Sequence, residues 1–356
     1  MIADQHGGTQ LEITGTDQFE AWQRRVRPPV EEVRPGLWSI PVPIPHSPLR
    51  YTLCYAFTGP GPLVIVDPGW DDTDARAALQ SGLAVAGATV GDVAGVVLTH
   101  VHPDHHGLSG WVRAESGAWI GMHPAEAATL PARVGHYRDA GADRDWLLRA
   151  GVPADDVEAL AITEDQLSAL RRMAEPDRLF EHGAALPLTA RTVEAVWTPG
   201  HTPGHLCLHD AEAGVLLTGD HLLPRITPNI AAKDESDGDP LGDYLSSLAK
   251  VTACQADEAL PAHEYRFRAL GVRAKAVTTH HDERSAEVIA AVANRDTPTA
   301  WQIAAALTWS RGWDTLSGLL RRMALGETDA HLNHLTAEGA LIRSPGDPTH
   351  WHPAIP

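Results

Sequence analysis

The chain of 356 residues exceeds one ordinary domain and is long enough to bury a large core. Its 46 acidic against 28 basic residues give a formal charge of −18, which repels phosphate backbones and argues against a nucleic-acid binder. Three scattered cysteines (Cys54, Cys207 and Cys254) exclude a disulfide framework or Cys-x-x-Cys zinc motif, and no run approaches ~18 uncharged apolar residues, so no membrane span is expected. Residues 1–8 lack the basic and apolar regions of a signal peptide, which makes a cytoplasmic enzyme the expectation.

Residues 1–33 read as a peripheral extension, with a short helix over Asp17–Val26, Thr16 as its cap and Pro28-Pro29 as its stop. Strand patterns follow at Gly36–Ile40, Tyr51–Phe57 and Leu63–Val66, the last two paired around Gly59-Pro-Gly-Pro62. The chain then enters Asp67-Pro68-Gly69. Asp67 serves there either as a loop or cap residue or as a carboxylate supporting a metal-bound imidazole. A helix is expected over Asp72–Ala86, with Ala75, Ala78, Leu79 and Leu83 on its apolar face.

Gly95–Thr99 reads as a buried strand opening onto His100-Val-His102-Pro-Asp104-His105-His106-Gly107. With 20 histidines in the chain some clustering arises by chance. Four ligand-type side chains within six residues, directly after a strand, instead suit metal capture. Neutral imidazole nitrogens and ionised oxygens are what zinc and other borderline cations accept.

After a strand at Ala118–Met122, the alternation of strands and helices argues for layered α/β packing. Residues 124–183 read as a helical insertion. Pro153 sits where a first turn begins, and Thr163-Glu-Asp-Gln166 has capping-box spacing ahead of Leu167, Leu170 and Met173. Tyr137, Trp146, Leu147, Met173 and Phe180 either pack this insertion onto the body or line a pocket as a lid. Strands return at Arg191–Thr198, Leu206–His209 and Val215–Thr218, a helix near Tyr244–Thr252 follows, and then Ala259-Leu-Pro-Ala-His263. Their ends present His201 and His205, Asp220 and His221, and His263. Converging on one edge, the strand ends supply seven ligands: His100, His102, Asp104, His105, His201, Asp220 and His263. Ser247-Leu-Ala-Lys250 matches Ser-x-x-Lys without its companion motifs and reads as chance.

The ordered set Thr-His-Val-His-Pro-Asp-His-His-Gly, Thr-Pro-Gly-His-Thr-Pro-Gly-His, Thr-Gly-Asp and Leu-Pro-Ala-His, with Asp67-Pro-Gly ahead of it, resembles the metallo-β-lactamase superfamily over residues 34–270. The glyoxalase II-like hydrolases are the most similar branch. The resemblance implies an α/β fold, the αβ/βα sandwich of two mixed β-sheets with outer helices, as a catalytic domain over residues 34–279. It also implies two divalent ions, zinc foremost, with iron or manganese suiting the same donors. By that pattern His100, His102 and His201 hold one metal, Asp104, His105 and His263 the other, and Asp220 bridges them. Asp104 and Asp220 are the catalytic carboxylates, Asp67 supports a ligand, His205 supports a ligand or is structural, and His106, His221 and Arg225 are candidates for the substrate pocket or its rim. A metal-bridging hydroxide would attack the thioester or ester carbonyl of a small molecule.

Other activities on this site rank lower. A lactonase of the quorum type carries a Tyr three residues after the bridging Asp, where this chain has Leu223, and a phosphodiesterase or nuclease is opposed by the charge. Pro261-Ala-His263-Glu264 replaces the family's Pro-Gly-His-Gly, and 96 residues separate His105 from His201, which disfavours glutathione conjugates.

Residues 280–356 resemble a winged-helix domain, with helices over His280–Ala293, from Thr297-Pro298 and over Thr328–Glu338, and a β-wing around Pro345-Gly-Asp-Pro348. Nine acidic against six basic residues over 281–356 favour a structural or pocket-closing module over a DNA reader. The alternative of another class is a winged-helix DNA-binding regulator with a structural metal site. Homodimerisation is left open.

Overall fold

The computed structural model describes residues 11–130, 140–161, 172–189, 191–232 and 238–354. The chain divides into two compact units, one of residues 1–130, 168–228 and 247–275, the other of residues 131–167, 229–246 and 276–356. Helices Pro240–Ala253 and Leu270–Ala293 are each divided between the two. The helical stretch before residue 168 and the C-terminal stretch therefore fall in one unit, although far apart in sequence.

The first unit is built on two mixed sheets. β1 (Glu12–Ile13) opens the chain, and a seven-stranded sheet follows in the order β2 (Glu31–Arg34), β3 (Leu37–Pro43), β4 (Tyr51–Phe57), β5 (Leu63–Val66), β6 (Val93–Val97), β7 (Trp119–Met122) and β8 (Arg178–Leu179). Pairing is antiparallel up to β5 and parallel from β5 to β8. The six-stranded sheet runs β9 (Glu194–Trp197), β10 (Leu206–Asp210), β11 (Val215–Gly219), β12 (Glu258–Pro261), β13 (Phe267–Arg268) and β1, with β11 and β12 parallel. Parallel neighbours need crossovers. Helices Thr73–Val85 and Ser109–Ser116 provide them between β5 and β6 and between β6 and β7. The Asp72 carboxylate caps the first of these by accepting Asp74 N–H at 2.8 Å.

β4 is apolar at all but one position because both its faces are covered. Leu53, Tyr55 and Phe57 pack with Leu208, Leu217 and Leu260 of the other sheet. Cys54 and Ala56 pack the opposite way with Leu79, Leu83 and Val112 of the crossover helices. At the far edge Arg34 and Arg266 converge on the buried Glu258 carboxylate, at 2.6 and 2.5 Å, which ties β2 to β12.

The second unit has its own core. Trp146 and Leu147 of helix Ala140–Arg149 and Leu160 of helix Ala154–Leu160 pack with Ile303, Leu325, Leu332 and Trp351. Helices Ala300–Ala304 and Gly318–Ala337 and an antiparallel hairpin, β14 (Leu341–Ser344) and β15 (His350–Pro353), complete it. Trp146 and Leu147 are thus core residues of this unit.

Several expectations change. Thr16 is the first residue of helix Thr16–Gln23 rather than its cap, because the Gly15 carbonyl already accepts Phe19 N–H at 2.9 Å. The stretch 124–183 is not wholly helical, since it ends in β8, held beside β7. The last long helix begins at Gly318, ten residues before the apolar spacing at Thr328 suggested. Tyr137 and the capping box Thr163–Gln166 lie outside the described residues. Among the described residues no helix is long and apolar enough to cross a membrane.

Candidate metal centre

The carboxyl ends of six strands meet at one edge of the first unit. β5 delivers Asp67, β6 the loop His100–His105, β7 Glu126, β9 His201, β11 Asp220 and β12 His263. Three groups of potential metal donors form there: His100, His102 and His201; His100, His105 and Asp220; and Asp104, His105 and His263. All seven ligands proposed from the sequence are therefore brought together.

The hydrogen bonds behind the rings decide which nitrogens face the centre. The Thr99 hydroxyl donates to Asp67 Oδ2 at 2.6 Å, so it accepts from His100 Nδ1 at 3.0 Å. His105 Nδ1 donates to the same Asp67 oxygen at 2.8 Å, and His263 Nδ1 donates to the Tyr51 carbonyl at 2.9 Å. Each ring therefore turns Nε2 towards the centre, the orientation in which a second partner presents an imidazole ligand.

His100 Nε2 lies 2.9 Å from His102 Nδ1, which lies 3.1 Å from His201 Nε2. Tetrahedral zinc spaces its nitrogen ligands about 3.3 Å apart. In the other group, Asp220 Oδ1 is 3.2 Å from His263 Nε2 and 3.5 Å from His105 Nε2, and Asp104 Oδ2 is 3.5 Å from His263 Nε2. Asp220 turns its second oxygen to His201 Nε2, at 3.7 Å. His105 Nε2, His263 Nε2 and Asp220 Oδ1 are buried with no hydrogen-bond partner. Such orphaned atoms are costly, and a divalent cation satisfies them together, so these residues fit a metal.

The electrostatics divide the histidines. Burial, reinforced by His105, His102 and His201, holds His100 well below the ordinary imidazole range, which keeps it neutral as a ligand must be. Burial opposes charge on His105 and His263 too, but the Asp220 and Asp104 carboxylates outweigh it and raise both. Burial likewise opposes a charged Asp220, yet His263 and His105 hold it well below the usual carboxylate range. His100, His105 and His263 are fully buried, whereas His102, Asp104 and His201 remain partly exposed and form the accessible side.

The remaining sequence candidates take other positions. Asp67 is buried at φ +51° and accepts Thr99 N–H at 2.8 Å as well as the two contacts above. His205 accepts Asp220 N–H on Nε2 at 3.2 Å and contacts the Thr198 hydroxyl through Nδ1 at 2.8 Å. Gly219 stands between, at φ +50°, where a Cβ would lie 2.6 Å from His205 Nε2. His106 and His221 are corrected from the rim: both are fully buried, and His106 Nε2 donates to the Ala174 carbonyl at 3.0 Å. Arg225 lies 4.1 Å over the Trp22 ring and 3.6 Å from Glu264. Glu264, where the family motif has glycine, is buried at φ +68°. Pattern reading misses Thr99, Thr198 and Glu126, because their only signal is adjacency to a ligand or to a strand end.

Comparison with known proteins agrees with this architecture. The metallo-β-lactamase family protein TTHA1429 of Thermus thermophilus is similar in structure, with a TM-score of 0.76 and 32% identity, covering 90% of this chain and all of that one. The probable metallo-hydrolase YqjP of Bacillus subtilis is 28% identical over 240 residues, 63% of this chain and 70% of that protein. The chicken acyl-coenzyme A thioesterase MBLAC2 is 32% identical over 124 residues, 35% of this chain and 40% of that protein. The lactamase-like protein vrtG of Penicillium aethiopicum is 32% identical over 117 residues, 33% of this chain, so the match spans only 36% of its length. Residues 47–263 match the family model described as the metallo-beta-lactamase superfamily. With the two mixed sheets and the donor cluster at their strand ends, the chain belongs to the metallo-β-lactamase superfamily.

Proposed function

We propose that the chain is a dinuclear metal-dependent hydrolase that cleaves a thioester or ester of a small molecule. The observation that carries this reading is Asp220, whose two oxygens face different donor groups, Oδ1 towards His105 and His263 and Oδ2 towards His201. In this reading His100, His102 and His201 hold one ion, Asp104, His105 and His263 the other, and Asp220 spans both. Bound divalent ions supply water acidified to near neutrality and polarise a carbonyl oxygen.

The chain's own residues do the rest. Asp104, partly exposed beside His263, is placed to accept a hydrogen bond from the attacking water and orient it. Asp67 and the Tyr51 carbonyl hold the His105 and His263 imidazoles, and Arg225, beside Glu264, is assigned to the pocket as a cation for an anionic carrier group. The two buried thiols, Cys54 and Cys207, do not compete as nucleophiles, and burial pushes Cys207 up to about 12. Thioester preference draws support from the likeness to the acyl-coenzyme A thioesterase.

In the same reading, residues 34–279 act as the catalytic domain and residues 280–356 as a winged-helix-like module. Duplex reading by this module is disfavoured. Thr328, Ala330, His331 and Leu332 are almost fully buried, and Trp146 Nε1 engages Asp329 at 2.9 Å, so the helix has no free face there to lay in a groove.

The test is hydrolysis by purified, zinc-loaded protein of a panel containing acyl-coenzyme A, aryl esters, lactones and a phosphodiester. Thioester or ester turnover lost on chelation and on Asp104→Ala is expected. No turnover of any member overturns the reading, and turnover confined to lactones or phosphodiesters overturns the substrate class.

A further inference from the structure

Glu126 is fully buried at the end of β7, in the short helix Pro124–Ala127, and its carboxylate joins two loops. Val101 N–H donates to Oε1 at 2.7 Å and Gly204 N–H donates to Oε2 at 2.8 Å. Val101 lies between His100 and His102, and Gly204 is three residues beyond His201. The two loops therefore supply all three nitrogens of the first donor group, and they come from different sheets. The approach is close. A Cβ on Gly204 would stand 2.1 Å from Glu126 N and 2.4 Å from its Cβ, so only glycine lets this loop rest against the helix. A carboxylate can accept at both oxygens, whereas a carboxamide accepts at one and presents N–H at the other.

We propose that Glu126 is a positioning residue that sets the spacing of His100, His102 and His201 before metal arrives. It touches no donor atom of the group, and acts by fixing the backbone on either side of the gap the ion fills. Fixing the loops in advance removes ordering entropy from metal binding, so loss of the clamp weakens affinity without necessarily unfolding the sheets. The inference rests on the metal-dependent reading of the site, but zinc titration needs no substrate, so failure of the hydrolysis assay leaves this test standing.

The experiment compares wild type with Glu126→Gln by zinc titration against a chromophoric chelator, by melting of the metal-free proteins, and by amide exchange of metal-free wild type. The expected result is at least tenfold weaker binding of one zinc, with metal-free melting within about 3 °C of wild type. Val101 and Gly204 amides are expected to stay protected in metal-free wild type. Zinc affinity within twofold of wild type overturns the proposal, as does an affinity loss accompanied by collapse of the melting transition in a variant that still folds. Should Glu126→Gln fail to fold, amide exchange decides: free exchange at both amides without metal means that metal, not Glu126, orders the loops.

Discussion

His205 spends both ring nitrogens on its own neighbours, Nε2 accepting the Asp220 backbone N–H at 3.2 Å and Nδ1 meeting the Thr198 hydroxyl at 2.8 Å. His201, four residues earlier, instead turns Nε2 towards His102 Nδ1 and Asp220 Oδ2, at 3.1 and 3.7 Å. Two histidines of one repeated Pro-Gly-His motif thus do different work. We expect His201→Ala to bind one metal equivalent fewer per chain. His205→Ala should keep the stoichiometry and bind about 10–100-fold more weakly. Elemental analysis with chelator competition separates the two, and equal stoichiometric losses would make His205 a ligand.

Asp67 gathers Thr99 N–H, the Thr99 hydroxyl and His105 Nδ1 on one buried carboxylate. Asp67→Asn replaces one acceptor oxygen with a donor, which releases His105 from its orientation. The expected outcome is metal affinity lowered by about 10–100-fold. Isothermal titration with zinc checks this, and an unchanged affinity would show that His105 is held by packing alone.

Acid should destabilise the fold through its buried neutral histidines. Burial lowers His106, His221 and His281 to about 3 and His331 to about 2, from 6.5. Below pH 6.5 the unfolded chain takes up protons that the folded chain refuses, so stability falls as pH drops towards the folded values. The raised His105 and His263 behave oppositely, their stabilisation being lost only as pH rises through their folded values. Between pH 6 and 5 their opposing contribution is small, because the unfolded imidazole is already mostly protonated below 6.5, and it fades as pH falls. Urea-unfolding free energies of metal-free protein should fall over that interval, and His331→Gln should remove up to about 1.4 kcal/mol per pH unit of the slope. An identical slope in the variant contradicts a buried neutral His331.

Glu258 is 2% exposed and holds Arg266 and Arg34 at 2.5 and 2.6 Å, with the Thr14 hydroxyl donating to it at 2.5 Å. Arg266, itself buried, also pairs with Glu31. Glu258→Ala leaves a buried guanidinium with only one carboxylate. The expected cost is about 3–5 kcal/mol, read from chemical unfolding, with metal stoichiometry unchanged in the folded fraction. A loss below about 1 kcal/mol would mean that Arg266 finds water or turns wholly to Glu31.

Tyr51–Phe57 and Leu63–Val66 are legible to the residue, because apolar runs bounded by a Gly-Pro turn leave little choice of register. The cluster of seven candidate donors is legible because ligand chemistry is local: each follows a strand and is spelled out in a short motif. Burial of polar groups is not. His106 is inside only because the Ala174 carbonyl, 68 residues away, is there to accept from it. Glu126 carries no signal in its own neighbourhood, because the two amides it accepts from are distant in sequence. The helix Gly318–Ala337 reads too short, since Gly326 breaks the apolar spacing, yet its Cα approaches Ala231 so closely that a Cβ would stand 3.0 Å away. Partners remote in sequence decide all three.

The donors are shared between layers: His100, His102, Asp104 and His105 follow a strand of the seven-stranded sheet, whereas His201, Asp220 and His263 follow strands of the six-stranded one. Neither sheet by itself carries a complete donor set. On the metal-dependent reading, an ion bound at full affinity therefore certifies that both halves of the sandwich have been made and correctly faced, and a chain misfolded in either half would be left metal-poor and chemically silent. The centre doubles as a proofreading mark on its own scaffold.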